Sequence, residues 1–518
     1  MTNPLLFPLI TNRQRPPILS TMSLTESLAQ SVGRSGIAVG DATARGLNQA
    51  LDAGTLTAAE LTAFYLARID RMNPGLRAVI TVSQDAVAEA TASDTRRLAG
   101  AALGPLDGIP VLIKDNVAAA GLPATAGSPA LQHAAAGDAF LVGRLRSAGA
   151  VILGKANLSE WANFRSRPSS SGLSTLGGQA VNPHGEGRSP SGSSSGSAVA
   201  VAAGMAPLAV GTETDGSIVS PAAVCGVVGI KPTLGLISRT GIVPISAAQD
   251  TAGPMTRSVA DAAVLLSAMA GPDPADAATE AAAGHATDYA TFLDPAALDG
   301  ARIGVWRAGS APADASTVAV LEAALAAMRR QGAQIIDPVE LADVEKMSEP
   351  EFTALTHEFK HDINAYLASL GGDHPADLAG LIEFNNSNAA DVLSHFGQEL
   401  FEQAEATSGT LSDADYTDAR SAATRIACDG LDAALTDFNL DAVIALTGHP
   451  AWLTDHVLGD YHGWGTSGPA AVSGYPSITV PAGLVSGLPV GISFIGPAWS
   501  EPRLIGLAHA FEQARSGI

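Results

Sequence analysis

Short apolar runs alternate with amphipathic stretches along most of the chain. Three such runs lie at residues 111–113, 150–153 and 208–211. Uninterrupted apolar runs of this length are typical of strands that are buried on both faces of a sheet. Residues 302–306 and 334–336 also predict strands, although each begins with a polar residue, and between them residues 317–330 predict a helix. Strands that alternate with helices in this way indicate an α/β fold with a large central sheet.

Helical patterns dominate other parts of the chain. Thr57 and Glu60 have the spacing of a capping box, so we expect a helix to begin after Thr57 and to continue through Met72. Residues 350–436 are mainly helical in pattern with polar turns, and we interpret them as a cap beside the sheet. Residues 272–300 are rich in Ala, Asp and Pro, which indicates a surface connection.

Composition narrows the class of protein. The 518 residues are 46% hydrophobic, which is enough to bury a large core. A net charge of −22 fits poorly with a nucleic-acid partner, because such proteins carry basic patches. Two cysteines, Cys225 and Cys428, exclude a disulfide scaffold. No apolar run reaches the ~20 residues of a membrane helix, so we expect a soluble protein without a membrane span.

The N-terminal segment contains a short apolar stretch. Residues 4–10 are apolar but short, and no basic region precedes them, so they form only a weak signal-peptide candidate. We interpret residues 1–22 as a disordered leader, with Met22 as an alternative start, and residues 23–518 as a single domain. The cytoplasm is the expected compartment, with secretion as the alternative. The sequence does not indicate an oligomeric state.

Lys114 is the first candidate catalytic residue, because it ends an apolar run. A lysine in water keeps its proton up to pH ~10.4, but burial can lower its pKa by roughly 3–5 units. A neutral lysine is a general base near pH 7, a role that arginine cannot fill. The alternative is that Lys114 pairs with a carboxylate such as Asp115.

Two serines in Gly-rich turns follow this strand, and they carry a family resemblance. Ser193 lies in segment 191–197, and Ser217 closes segment 211–217. Together with later blocks, these segments resemble the amidase signature family in content and order. The blocks that carry this resemblance lie at residues 108–116, 191–204, 211–217, 226–233, 250–255 and 474–496.

The resemblance implies both a fold and a set of roles. The family fold is an α/β/α sandwich with a large mixed sheet, here with a signature core at 105–262, the helical cap at about 350–436 and a C-terminal block at 440–510. By position, Ser217 matches the nucleophile, Ser193 the serine on a cis peptide bond and Lys114 the base. This Ser-cisSer-Lys triad implies hydrolysis of an amide through an acyl-enzyme, with no cofactor and no metal.

The resemblance also suggests where the oxyanion and the substrate bind. The backbone N–H groups of Thr214, Asp215, Gly216 and Ser217 match the oxyanion hole. Many members have Gly where Asp215 stands and Asp where Glu213 stands, so the set of donors stays open. Glycines are likewise replaced by serines at positions 191 and 195. Trp452, His449 and Asn163 are expected to border the substrate pocket.

The substrate class rests on two short segments. Residues 157–164 and 213–217 most resemble the branch that removes the C-terminal amide of peptides, with release of ammonia. The alternatives are an aryl or aliphatic amidase of the same family and an amidotransferase-type subunit. In each case the partner is a small-molecule or peptide amide, and no nucleic acid is expected.

Two other motifs suggest different chemistry. Residues 192–196 fit the G-x-S-x-G nucleophile elbow, which would make Ser194 the nucleophile, but the preceding residues are predicted as loop rather than strand. His357 and His361 fit the H-E-x-x-H zinc motif on a predicted helix, with Glu383 as a third ligand. We treat a zinc hydrolase as a remote alternative and a solvated helix face as the simpler interpretation.

Overall fold

The computed structural model describes residues 38–311, 313–461 and 463–515. The leader expected at residues 1–22 lies outside these residues. Within them, eleven strands form one mixed sheet. Its strands, in order across the sheet, are Val79–Val82, Val151–Ala156, Pro110–Lys114, Leu208–Glu213, Thr251–Thr256, Val228–Lys231, Ser477–Val485, Leu488–Ile495, Ala442–Leu446, Arg302–Val305 and Gln334–Ile336. The predicted large mixed sheet is therefore confirmed.

Parallel and antiparallel pairs both occur in this sheet. Strand Pro110–Lys114 runs parallel to both of its neighbours, Val151–Ala156 and Leu208–Glu213. The C-terminal hairpin of Ser477–Val485 and Leu488–Ile495 is antiparallel to the strands on both its sides. Each of the five segments predicted as strands overlaps a strand of this sheet, and strands Pro110–Lys114, Val151–Ala156 and Leu208–Glu213 are buried along their whole length.

Helices cover the sheet, as an α/β fold requires. The α-helices of the described residues are Ala44–Asp52, Ala58–Leu76, Ala86–Leu98, Phe140–Ser147, Ser195–Ala202, Val219–Val224, Val259–Met269, Ala315–Arg330, Ser348–Ser369, Leu378–Ser387, Ala389–Val392, Glu399–Glu405, Ala414–Asp437, Gly468–Ser473 and Glu501–Arg515. The capping box at Thr57 is present, and its helix continues four residues beyond the expected end, with Pro74 in its last turn. No helix in these ranges is long and apolar enough to cross a membrane.

The predicted helical cap is also present. Its helices, between Ser348 and Asp437, bury Phe359 and Phe401 in a second apolar cluster with Trp161 and Phe164 of the signature core. The carboxylate of Glu358 accepts two hydrogen bonds from Arg420, at 2.8 and 2.5 Å, so helices Ser348–Ser369 and Ala414–Asp437 are tied together.

The connection at residues 272–300 is more ordered than its composition suggests. It contains two 3₁₀-helices, Ala277–Gly284 and Tyr289–Phe292. Tyr289 and Leu298 are fully buried in the main core, although most of their neighbours are exposed. The segment is therefore a surface connection that is anchored by a few apolar side chains.

Candidate active site

Lys114 ends a central strand and is enclosed by protein. Its side chain has no exposed surface, and Nζ donates to Ser193 Oγ at 2.7 Å and to Thr212 Oγ1 at 2.8 Å. Thr212 Oγ1 also accepts from Asn116 Nδ2 at 2.9 Å. The parallel pairing of Pro110–Lys114 with Leu208–Glu213 accounts for the contact, because Ile113 pairs with Val210 and the next residues along the two strands bring Lys114 close to Thr212.

The electrostatics of Lys114 suit a base. Burial lowers its pKa to about 7, and the negative charges of Asp250 and Glu213 oppose this shift. No ion pair with Asp115 is formed, since Asp115 lies 3.5 Å from Lys155 instead. Lys114 is thus neutral in a substantial fraction of molecules at pH 7, and its nearest hydroxyl is that of Ser193.

Ser193 is held in a turn with little freedom. The Gly192–Ser193 peptide bond is cis, and the carbonyl oxygen of Ser193 accepts from the N–H of Ser159 at 3.1 Å. A Cβ at Gly192 would lie 2.2 Å from Ser159 Oγ and 3.0 Å from Ser171 Oγ, so only glycine fits there. This packing fixes the Ser193 hydroxyl against Lys114.

Ser217 lies in the tight turn that follows strand Leu208–Glu213. Gly216 adopts a left-handed conformation (φ 76°), and the carbonyl oxygen of Ser217 accepts from the N–H of Ser194 at 3.1 Å. The Ser217 side chain borders a cavity, and its hydroxyl has no hydrogen-bond partner among the residues that the structure describes. The structure therefore joins Lys114 to Ser193 and leaves the Ser217 hydroxyl open to the cavity.

The backbone N–H groups of this turn fall into two sets. Glu213 accepts from the N–H groups of Ile218 and Val219, at 2.6 and 3.0 Å. By contrast, the N–H groups from Thr214 to Ser217 donate to no group within the described ranges. Glu213 therefore supports the turn, and the four predicted donors are not used within the described part of the protein.

A cavity of about 330 Å³ opens beside Ser217. Asn163, His449 and Trp452, the three residues predicted to border a pocket, all line it. The sequence patterns do not indicate several other lining residues, namely Ser171, Asp460, Tyr461, Trp464 and Ser467. They lie in loops without periodicity, although 460–467 follows soon after His449 and Trp452 in the chain.

Aromatic rings form one wall of this cavity. The ring of His449 lies 4.9 Å from Trp452, 5.7 Å from Tyr461 and 6.2 Å from Trp464, measured between centroids. Trp452 Nε1 donates to Asp460 at 3.0 Å, which fixes its orientation. Trp452 therefore belongs to the cavity wall rather than being buried under the cap.

The two competing motifs are not assembled as sites. Ser194 lies between a loop and helix Ser195–Ala202, and its hydroxyl is engaged with the backbone of Thr212 at 3.0 and 3.1 Å. Glu358 of the zinc motif is paired with Arg420. Across residues 38–311, 313–461 and 463–515, no three His, Cys, Asp or Glu side chains are grouped to hold a metal ion.

The fold and these motifs define the class of protein. Residues 60–505 match the Amidase family, so the chain belongs to the amidase family. It is an amidase that hydrolyses C–N amide bonds.

The chain is similar to several particular members of this family. The structure is similar to native peptide amidase from Stenotrophomonas maltophilia, at 49% identity and a TM-score of 0.87, over 91% of this chain and 96% of that chain. A probable amidase of Arabidopsis thaliana is 40% identical over 510 residues, which cover 95% of this chain and 94% of the relative. A glutamyl-tRNA(Gln) amidotransferase subunit from Symbiobacterium thermophilum is 36% identical over 480 residues, which cover 90% of this chain and 95% of the relative.

Proposed function

We propose that the chain hydrolyses the C-terminal amide of peptides through a relay of Lys114, Ser193 and Ser217. The observation that carries the proposal is the 2.7 Å contact between Lys114 Nζ and Ser193 Oγ, next to a turn that presents Ser217 to a cavity. The pKa of Lys114, lowered to about 7 by burial, supports the role of base.

Each proton in this relay has a donor and an acceptor. Neutral Lys114 takes the proton of Ser193 as Ser193 takes that of Ser217, and Ser217 Oγ bonds to the amide carbonyl carbon. The C–N bond then breaks, and the relay returns the proton to nitrogen, so ammonia leaves. Water attacks the acyl-enzyme by the same relay, which gives the carboxylic acid and restores Ser217.

One link of the relay forms on substrate binding. Ser217 Oγ must turn from the cavity toward Ser193, and catalytic hydrogen bonds often tighten only when substrate is bound. The unused N–H groups from Thr214 to Ser217 would then stabilise the oxyanion. Each such donor is worth roughly 10²–10³ in rate in other hydrolases.

The preference for peptide amides is supported by the aromatic wall and by the similarity to peptide amidase. Trp452 offers an apolar surface to the side chain next to the amide. The test compares a dipeptide amide, an acylated aniline and a simple aliphatic amide on purified enzyme. The dipeptide amide should have the highest kcat/KM, with one ammonia released per turnover. A higher value for the anilide would contradict the peptide substrate and leave the relay intact.

The amidotransferase relatives define a second candidate, a component that acts only with partner proteins. Assays of the chain purified alone distinguish this candidate from a self-sufficient hydrolase. A chain purified alone that releases ammonia from amides is a self-sufficient hydrolase. A chain that is inactive until other proteins are added would favour the amidotransferase role.

A further inference from the structure

Asp215 and Asp460 both border the cavity and have no place in the relay, and of the two Asp215 is the nearer to Ser217 in the chain. Asp215 lies in the same turn as Ser217, lines the cavity and is exposed there. Its backbone N–H is one of the proposed oxyanion donors, but its carboxyl side chain, when ionised, carries a charge that opposes an oxyanion. Asp215 is therefore better suited to exclude negatively charged ligands from the cavity than to assist the reaction.

Asp215 shares its surroundings with a second carboxyl group, that of Glu351 in the cap. Glu351 is buried and accepts from Gln249 Nε2 at 2.9 Å. Burial, followed by the nearby charge of Asp215, raises the pKa of Glu351 to about 8, which favours its neutral form.

Asp215 is the more hydrated carboxyl group of this pair. Burial among protein atoms raises its pKa too, while Ser467 and Lys231 lower it. Asp215 is open to the cavity, whereas Glu351 is enclosed, and the ionised form is favoured at the more hydrated of two coupled carboxyl groups. The cavity therefore presents one carboxylate close to the proposed nucleophile.

We propose that Asp215 is a specificity-determining residue that rejects ligands carrying a carboxylate in place of the reacting amide. The inference rests on the proposed function, in which the substrate is neutral at this point and the product is an anion. Like charges repel strongly in a site that is partly shielded from water. Asp215 thus speeds departure of the acid product and keeps ordinary peptides, with free C-termini, from occupying the cavity.

Asp460 provides a matched control in the same cavity. Its two carboxylate oxygens accept from Trp452 Nε1 and from the N–H of Ser171, each at 3.0 Å. These two N–H donors offset the charge of Asp460, whereas Asp215 is exposed at the cavity and the hydrogen bond that lowers its pKa comes from a single hydroxyl, that of Ser467. Substitution of either residue by asparagine removes one negative charge from the cavity. The comparison therefore distinguishes an effect of the Asp215 carboxylate from an effect of the total charge of the cavity.

The experiment measures binding in a Ser217→Ala background, where turnover does not interfere. One dipeptide is titrated by calorimetry as its amide and as its free acid at pH ~7.5, where the acid is ionised. With Asp215 present, the amide should bind at least tenfold more tightly than the acid. Asp215→Asn should lower this ratio at least tenfold, mainly by tightening the acid, and Asp460→Asn should change it less than threefold.

Two outcomes would overturn the inference. These are an amide-to-acid ratio that Asp215→Asn leaves unchanged, and a ratio that Asp460→Asn lowers equally. Asp215→Ser is a second neutral variant, so the test does not depend on one substitution folding. Failure of the proposed function is seen separately, as absence of ammonia release from peptide amides by the unaltered enzyme.

Discussion

The N–H of Ser194 donates to the carbonyl oxygen of Ser217 at 3.1 Å, so the two serine-bearing turns are joined through their backbones. The hydroxyl of Ser194 is meanwhile engaged with the N–H and carbonyl of Thr212. Ser194 therefore supports the turn of Ser217, whereas the hydroxyl of Ser217 faces the cavity. Two serines from separate Gly-rich turns that are hydrogen-bonded to each other thus have different environments.

This difference leads to a test of the nucleophile. Ser217→Ala should lower kcat by roughly 10⁵- to 10⁶-fold, as loss of a nucleophile does in other serine hydrolases. It should also abolish labelling by a fluorophosphonate, measured by mass spectrometry. Ser194→Ala is the control, which should lose about 1–3 kcal/mol of stability because buried groups of Thr212 lose their partner, yet keep its labelling. Labelling lost only in Ser194→Ala would favour the nucleophile-elbow interpretation.

The base is tested by the pH dependence of activity. With a Lys114 pKa of about 7, the neutral form dominates above pH 7 and is lost below it, so kcat/KM should fall on the acid side with a midpoint near 7. Lys114→Met and Lys114→Arg should both be inactive, since neither side chain accepts a proton at this pH. Lys346→Met, on the surface, is the control and should retain full activity. A flat acid side would contradict the relay.

Substitution of Asp250 tests whether Lys114 is the group that titrates in the pH profile. Its negative charge raises the pKa of Lys114, against the larger effect of burial. Asp250→Asn removes that charge, so the pKa of Lys114 should fall further and the acid side of the pH profile should move to lower pH. Asparagine retains one oxygen for the N–H groups of Ile245 and Ser246, and its amide nitrogen donates to Thr214 Oγ1, a hydroxyl that accepts as well as donates. A move to higher pH would show that Lys114 is not the titrating base.

The zinc alternative is tested at Glu358. In a metalloprotease this glutamate is the catalytic base, but here it pairs with Arg420 and accepts from Ser246 Oγ at 2.6 Å. Glu358→Ala should therefore destabilise the fold by up to about 3 kcal/mol, the cost of leaving the partly buried Arg420 without a carboxylate partner while its bond to Gln249 remains. His357→Ala should cost less than about 1 kcal/mol. Activity should survive prolonged chelation, and its loss with release of one zinc per chain would reverse the assignment.

The sequence predicts the strands of the core because buried strands leave a strong local pattern. Lys114 stands out for the same reason, as a charged residue at the end of an apolar run. The contacts that define its environment are not local, since Thr212 meets Lys114 only through the register of two parallel strands. Tyr461 and Trp464 lie in an irregular loop, whose shape depends on contacts such as that between Asp460 and Trp452. Such contacts leave no periodic signal.

The order of strands across the sheet also has a consequence during synthesis of the chain. Six strands, up to residue 256, form one half of the sheet, and three strands between 302 and 446 form the other. Among the strands that the structure describes, the hairpin Ser477–Val485 and Leu488–Ile495 alone joins the two halves of the sheet, and these two strands are the last of the eleven to leave the ribosome. Until then both halves have an open edge, which readily pairs with other chains. A nascent chain stalled before residue 477 would therefore aggregate rather than form a smaller enzyme.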